Sequence, residues 1–470
     1  MLIKNSEKKL LWDIMAHSGM VIDKPCGGNG TCGKCKVKAS GNLSPLSEAE
    51  SNILTDEEKK NGVRLACRAF AFGDVEVDFC AKEGLNGDVK TDFCISESLN
   101  SVDKCIAAID LGTTVIEANF YLPDAKTLLK HGKMLNPQGK FGADIISRIM
   151  FSKSEEGRDI LRKELFSSIR NLAGDLYDKI EYSVVTGNTA MLHFYSGLDS
   201  GSIASYPFKP ETLFGSWNEN VYIPRCISAY VGADTTLAIL ASGMLSEGPS
   251  LLVDIGTNGE MALYSGGKLY VSSTAAGPAF EGASISHGMF AVSGAINHVS
   301  ADGSYKTVGG EKPKGICASG LIDAICYMLK KGIISKDGYL EKDFPINESS
   351  VFISPQDVRN FQLGKAAIRA GIETLLKKAE ISANELKKLY ITGALGKNAN
   401  MENCQKTGLI PKIPKEKIIL LSNAALKGAS MILEDRNNIK ITEEIAKKAE
   451  YTELSLCDEF TKNYIEYISF

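Results

Sequence analysis

Twice in this chain an apolar run ends in Asp-x-Gly-Thr. The first is Ile106-Ala-Ala-Ile-Asp110-Leu-Gly112-Thr113-Thr114, and the second is Leu251-Leu-Val-Asp254-Ile-Gly256-Thr257-Asn258-Gly259-Glu260. A short apolar run closed by a glycine turn reads as a buried strand. A second strand is expected after each, over residues 115–121 and 261–264. A recurring strand–turn–strand unit predicts a duplicated α/β domain, and 470 residues are enough for about three folding units. The turns also suggest chemistry. Glycine lets backbone amides approach phosphate oxygens, and Thr and Asn side chains donate to the same oxygens. An Asp at each strand end suits Mg2+, held directly or through water, because that ion keeps several waters and takes few carboxylates. A third strand-then-glycine turn follows at Leu389-Tyr-Ile-Thr-Gly393-Ala394-Leu-Gly396-Lys-Asn398, with a helix expected from Met401.

The front of the chain has a different character. Cys26, Cys32 and Cys35 lie within ten residues with C-x5-C-x2-C spacing, and Cys67 follows in Arg-Leu-Ala-Cys-Arg. Three thiolates on one glycine-rich loop and a fourth from elsewhere suit a cluster held by four sulfurs. Gly27, Gly28, Gly30 and Gly33 allow positive φ, so the loop can turn its amides toward that charge. Zinc is the rival, although zinc sites favour paired C-x2-C knuckles and only one half here has that form. Four unrelated buried cysteines remain the plain alternative. The spacing resembles the adrenodoxin-like variant of the 2Fe–2S ferredoxins, which implies a small β-grasp domain over residues 1–79. A helix is expected over 10–20, and strands over 36–39 and 74–79. Only nine residues precede that helix, so the usual first hairpin is expected to be shortened or missing.

Composition narrows the remainder. Hydrophobic residues are 44%, charged residues 23% and the formal net charge is -4, which fits a globular protein and excludes collagen-like or disordered readings. No basic block of the kind a nucleic-acid binder needs is present. No apolar stretch reaches the ~20 residues that span a bilayer, and residues 1–15 lack a signal-peptide pattern. The expected location is the cytoplasm. Twelve cysteines are then better explained by metal or redox use than by disulfides. Residues 80–104 are polar and aperiodic and read as a linker. The two lobes are expected over 105–249 and 250–435. The remaining 436–470 is expected to pack on the second lobe, as a helix, a strand over 451–456 and another helix.

Together, Asp110 to Thr114, Asp254 to Glu260 and Gly393 to Gly396 resemble the two phosphate motifs and the adenosine motif of the acetate/sugar kinase–heat-shock chaperone–actin ATPases. The resemblance implies two RNase H-like lobes closing on ATP. It implies phosphate and Mg2+ contacts from Asp110, Gly112, Thr113, Thr114, Asp254, Gly256, Thr257 and Asn258. Adenosine contacts would come from Gly393 and Gly396. Ala394 and Ser422-Asn423 depart from the usual Gly-Gly and Gly-Asn pairs. A ferredoxin domain fused to this ATPase resembles the reductive activators of corrinoid proteins. Supporting stretches are Asn136 to Arg148, Thr186 to His193, Gly277 to Gly282, Ala318 to Asp323 and Gln362 to Arg369. Larger members carry a further domain ahead of the first phosphate motif, whereas here the linker runs straight into it.

The family resemblance implies one-electron transfer from a 2Fe–2S cluster on Cys26, Cys32, Cys35 and Cys67 to an inactive cobalt(II) corrinoid protein, coupled to ATP hydrolysis. It also implies an upstream electron donor and allows a homodimer. Glu260 is the candidate for orienting the attacking water, with Glu281 second; Asp234 in Gly-Ala-Asp-Thr-Thr is placed to reach the same cleft. Other readings of the same residues are a small-molecule kinase with an accessory cluster and an ATP-gated redox sensor. The five histidines show no metal-ligand spacing and read as packed or capping residues.

Overall fold

The computed structural model describes residues 2–5, 7–17, 28, 30, 33, 35–78, 90–93, 102–142, 144–395 and 399–470. The chain divides into two compact units. One comprises residues 1–181 and 190–212, the other 182–189 and 213–470.

The first unit contains a small antiparallel sheet built on Phe70–Asp78, which pairs with Lys36–Leu43; Lys36–Leu43 in turn pairs with Val63–Leu65. Alternation along Phe70–Asp78 buries Ala71, Val75 and Val77 and exposes Phe70, Phe72, Asp74, Glu76 and Asp78, as a one-sided sheet requires. Gly41, at φ +114 against the Asp74 carbonyl, carries the register shift that lets the 36–39 strand continue to Leu43. The short strands Leu2–Ile3 and Lys9–Leu10 both pair antiparallel with Phe70–Asp78. They line the same edge of that strand, Leu2–Ile3 opposite Glu76 and Val75 and Lys9–Leu10 opposite Ala71 and Phe70. Helix Leu11–His17 places Leu11, Trp12 and Met15 in the core with Leu65, Val75 and Val77.

Two helices here were not anticipated. Glu48–Ile53 and Asp56–Lys60 each start from a capping box, Ser47 with Glu50 and Thr55 with Glu58. Glu50 is fully buried and takes two hydrogen bonds from Arg64, Nε at 2.8 Å and Nη2 at 3.1 Å, and one from the Leu65 amide. Burial alone would raise the Glu50 carboxyl. The Arg64 hydrogen bond, with the Ser47 and Leu65 amides, outweighs it and holds the group below its ordinary value.

The same unit holds the first meander, Cys105–Leu111, Val115–Tyr121 and Leu128–Leu135. Strand Lys90–Phe93 extends it along Leu128–Leu135, so part of the segment read as a linker is sheet. Helix Glu155–Ala173 covers this meander. Its C-terminal carbonyl at Ala173 accepts from the buried Lys130 at 3.2 Å.

In the second unit the central sheet runs Ile418–Leu420, Lys388–Gly393, Ser250–Ile255, Asn258–Ser265, Lys268–Ala275, Ala449–Tyr451. Its middle is again a three-stranded meander, with parallel strands added outside. Helix Pro355–Lys378 crosses the sheet, begins at a Ser354–Asp357 capping box, and buries Val358, Phe361, Ile368, Ile372 and Leu375. The tail is helix Asn438–Lys448, strand Ala449–Tyr451 and helix Asp458–Glu466. The expected strand therefore lies a few residues earlier, and 454–456 is a single tight turn.

Candidate functional site

The second phosphate hairpin collects carboxylates from several segments. Asp254 lies near the end of Ser250–Ile255, and Glu260 is its direct partner across the antiparallel pair. Like charges placed opposite one another destabilise a sheet unless something neutralises them. A third carboxylate, Asp234, comes from the first turn of helix Ala233–Ser242, with its Oδ1 accepting from the Thr235 amide at 2.7 Å. All three keep some solvent access but are densely surrounded by protein. Burial, then the charges of Asp234 and Glu281, push Asp254 up to about 7. Burial pushes Asp234 up to about 6. Burial, then Asp234 and Asp254, drive Glu260 well above the carboxylate range. This constellation is short of positive charge, which is the condition a divalent cation relieves. Among the described residues, no group of three or more His, Cys, Asp or Glu side chains is close enough to chelate a bare metal ion. A hydrated Mg2+ reaching these oxygens through water fits that spacing.

The turn beside the carboxylates is tightly held. The Gly256 amide donates to the Asn258 carbonyl at 2.9 Å. Thr257 donates to Glu281 through its amide at 3.2 Å and through its hydroxyl. Both Glu281 oxygens are therefore engaged in fixing the turn. On the parallel strand, Gly393 pairs with Ile255 at φ +92, and a Cβ there would collide with Asp254 Oδ1 and the Ile255 backbone. Only glycine permits this approach. Gly232 makes a similar close contact, where a Cβ would lie 2.5 Å from Asn188 Cα and 2.8 Å from Asp234 Oδ1. Gly396 lies outside the described residues.

The first hairpin repeats the arrangement. Asp110 is near the end of Cys105–Leu111 with Glu117 opposite it. Gly112 packs against the Val115 carbonyl where a Cβ has no room. Asn136 holds the turn, donating from Nδ2 to the Gly112 carbonyl at 2.9 Å and from its amide to the Thr114 carbonyl at 2.8 Å. Thr113 and Thr114 lie in that turn. Neither Glu117 nor Asn136 was among the candidate site residues; the pairing of Glu117 depends on register, which the sequence does not show.

At the front of the chain Cys35 and Cys67 are buried with their sulfurs 3.1 Å apart. Gly28 has φ +89, and a Cβ there would lie 4.0 Å from Cys67 Cβ, so Gly28 packs against Cys67. Cys26 and Cys32 themselves lie outside the described residues. Two buried thiols side by side, with Gly28 against one of them, suit a four-sulfur cluster.

Comparison with known proteins follows the same three parts. Residues 3–71 match the 2Fe-2S iron-sulfur cluster binding domain. Residues 105–247 match the RACo middle region, and 248–470 match the C-terminal domain of RACo, the ASKHA domain. The chain is 30% identical over 411 residues to the corrinoid activation enzyme RamQ of Eubacterium limosum, covering 76% of this chain and 69% of that one. The chain belongs to the corrinoid-activator family. It is also 27% identical over 416 residues to the [Co(II) methylated amine-specific corrinoid protein] reductase of Methanosarcina barkeri, covering 77% and 76%. A solved structure described as a reductive activator for corrinoid, iron-sulfur protein matches with TM-score 0.71 and 27% identity, over 99% of this chain and 96% of that one. The middle-region match, residues 105–247, carries the first phosphate hairpin.

Proposed function

We propose that this chain is an ATP-dependent reductive activator that returns a corrinoid protein from inactive cobalt(II) to cobalt(I). The observation that carries the reading is one chain with two kinds of site. It brings Cys35 and Cys67 together, with Gly28 against Cys67, and it also builds a carboxylate-lined phosphate turn at Asp254–Glu260. When bound, a 2Fe–2S cluster supplies single electrons at accessible potential.

Each residue has a distinct task. Cys26, Cys32, Cys35 and Cys67 hold the cluster. Asp110 and Asp254 hold Mg2+ through its waters. Gly112, Thr113, Thr114, Gly256, Thr257 and Asn258 form the turns against which the phosphates sit. Gly393 and Gly396 shape the adenosine side. Glu260 orients the attacking water, and Glu281 holds Thr257 in position for it. An upstream electron donor reduces the chain between turnovers. Among the described residues no helix is long and apolar enough to cross a membrane, and we assign the protein to the cytoplasm.

The test is anaerobic purification followed by iron, sulfide and nucleotide analysis. About one 2Fe–2S cluster per chain is expected, with ATP hydrolysis stimulated by a cobalt(II) corrinoid protein. Cluster without any nucleotide binding contradicts the reading. Phosphoryl transfer to an added sugar or acid would favour a kinase instead.

A further inference from the structure

Four described cations lie within three residues of the two described cluster cysteines: Lys36 and the exposed Lys38 after Cys35, Arg64 ahead of Cys67, and Arg68, which directly follows Cys67. Two of them are neutralised. Lys36 Nζ lies 2.7 and 2.9 Å from the Glu58 oxygens. Arg64 is buried in its two-bond pair with Glu50. Arg68 is exposed, and among the described residues its guanidinium has no carboxylate partner. Its stem is nevertheless held in place. A Cβ on Gly30, which has φ +73, would lie 2.9 Å from Arg68 Cγ and 3.1 Å from Cδ, with Ala49 Cβ at 2.9 Å. The Arg68 amide donates to the Leu65 carbonyl at 2.8 Å. The side chain thus packs its stem against Gly30 and carries, among the described residues, a positive charge with no carboxylate partner, one residue from Cys67.

We propose that Arg68 is a positioning residue for charge that sets the reduction potential of the cluster. The inference rests on the 2Fe–2S assignment above. One electron from the upstream donor makes the cluster and its four thiolates one unit more negative, and no bond is made or broken. A nearby unpaired cation favours that reduced state and raises the potential. The cluster becomes easier to fill and a weaker donor toward cobalt(II). The uphill part of the transfer then falls on the ATP-dependent step.

The experiment is an anaerobic redox titration of the full chain, followed by visible absorbance and EPR. Arg68→Gln is expected to lower the midpoint. At the wild-type midpoint its oxidised-to-reduced ratio should rise about threefold, which is about 28 mV at 59 mV per decade. Arg68→Lys should keep the wild-type value, and Arg68→Glu should move further than Gln. The gap between wild type and Arg68→Gln should narrow in 1 M salt, where screening acts over about 3 Å. If Arg68→Gln fails to load cluster, Arg68→Met keeps the stem on Gly30 and replaces it. A loaded neutral variant with the wild-type midpoint overturns the proposal. So does a shift in which Lys behaves like Gln, since packing rather than charge would then be responsible. Wild-type chain without iron and sulfide would refute the cluster reading itself, a different and separately visible failure.

Discussion

Single residues divide here into those whose purpose is local and those whose purpose appears only across the fold. Gly393 is of the second kind. Its sequence marks a turn, but the need for glycine comes from Asp254 on the neighbouring strand. Gly393→Ala is expected to weaken nucleotide binding at least tenfold, about 1.4 kcal/mol, as read by fluorescent-nucleotide titration; unchanged affinity would place the nucleotide elsewhere. Glu260→Gln should leave nucleotide affinity near wild type and lower the hydrolysis rate by roughly 10²-fold or more. Lys365 is a residue with a cost. It is buried, donates to the Ser469 carbonyl at 2.5 Å and lies over the Phe470 ring. Burial, then the Arg369 charge, lowers its ammonium from 10.5 to about 8. The folded chain therefore releases this proton before the unfolded chain does. The penalty is fully present below pH 8 and fades as pH rises toward 10.5, so stability should gain up to roughly 3 kcal/mol across that window. Lys365→Met should flatten that rise, measured as the difference between the two proteins' urea midpoints at pH 7.5 and pH 10. Parallel pH dependence in both would remove Lys365 as the cause.

At the scale of elements, legibility follows the range of the interaction. The two phosphate hairpins were readable because apolar run, Asp and glycine turn are all local. The first partner strand runs over Val115–Tyr121 as expected, whereas the second runs longer than its apolar core suggested, because Gly259 joins the ladder opposite Ile255 and Thr274 and Asn258 opposite Ala275. Helices Glu48–Ile53 and Asp56–Lys60 were missed although their capping boxes are visible in the sequence. They are short and lack an apolar period, so the cap was the one available signal. Strand Lys90–Phe93 has no period either; the free edge of Leu128–Leu135 supplies its pairing. Asp234 reaches the carboxylate group because Gly232 lets helix Ala233–Ser242 start against Asn188. The Glu50–Arg64 pair ties a capped helix to the strand leading to Cys67. Removing one partner, as in Glu50→Ala, leaves a buried unpaired charge and should cost about 3–5 kcal/mol in that domain. The readout is urea unfolding followed by cluster absorbance. A midpoint shift equivalent to less than 1 kcal/mol would contradict this view of the pair.

The whole molecule joins an electron donor and a nucleotide switch on one chain. Cobalt(II) reduction is difficult, and a shortfall of roughly 240 mV in a one-electron step is about four decades in equilibrium constant. That is close to the ~5.5 kcal/mol that moves a two-state system from 1:99 to 99:1. ATP can supply it only through different affinities for two states of the activator and its corrinoid partner. The most direct test is a visible spectrum taken after the reduced chain, freed of chemical reductant, is mixed anaerobically with a cobalt(II) corrinoid protein. Cobalt(I) is expected to accumulate with Mg-ATP, to be nearly absent without it, and to be lost in Cys67→Ser. Equal cobalt(I) with and without nucleotide, or ATP hydrolysis that yields none, would contradict the coupling of donor and switch.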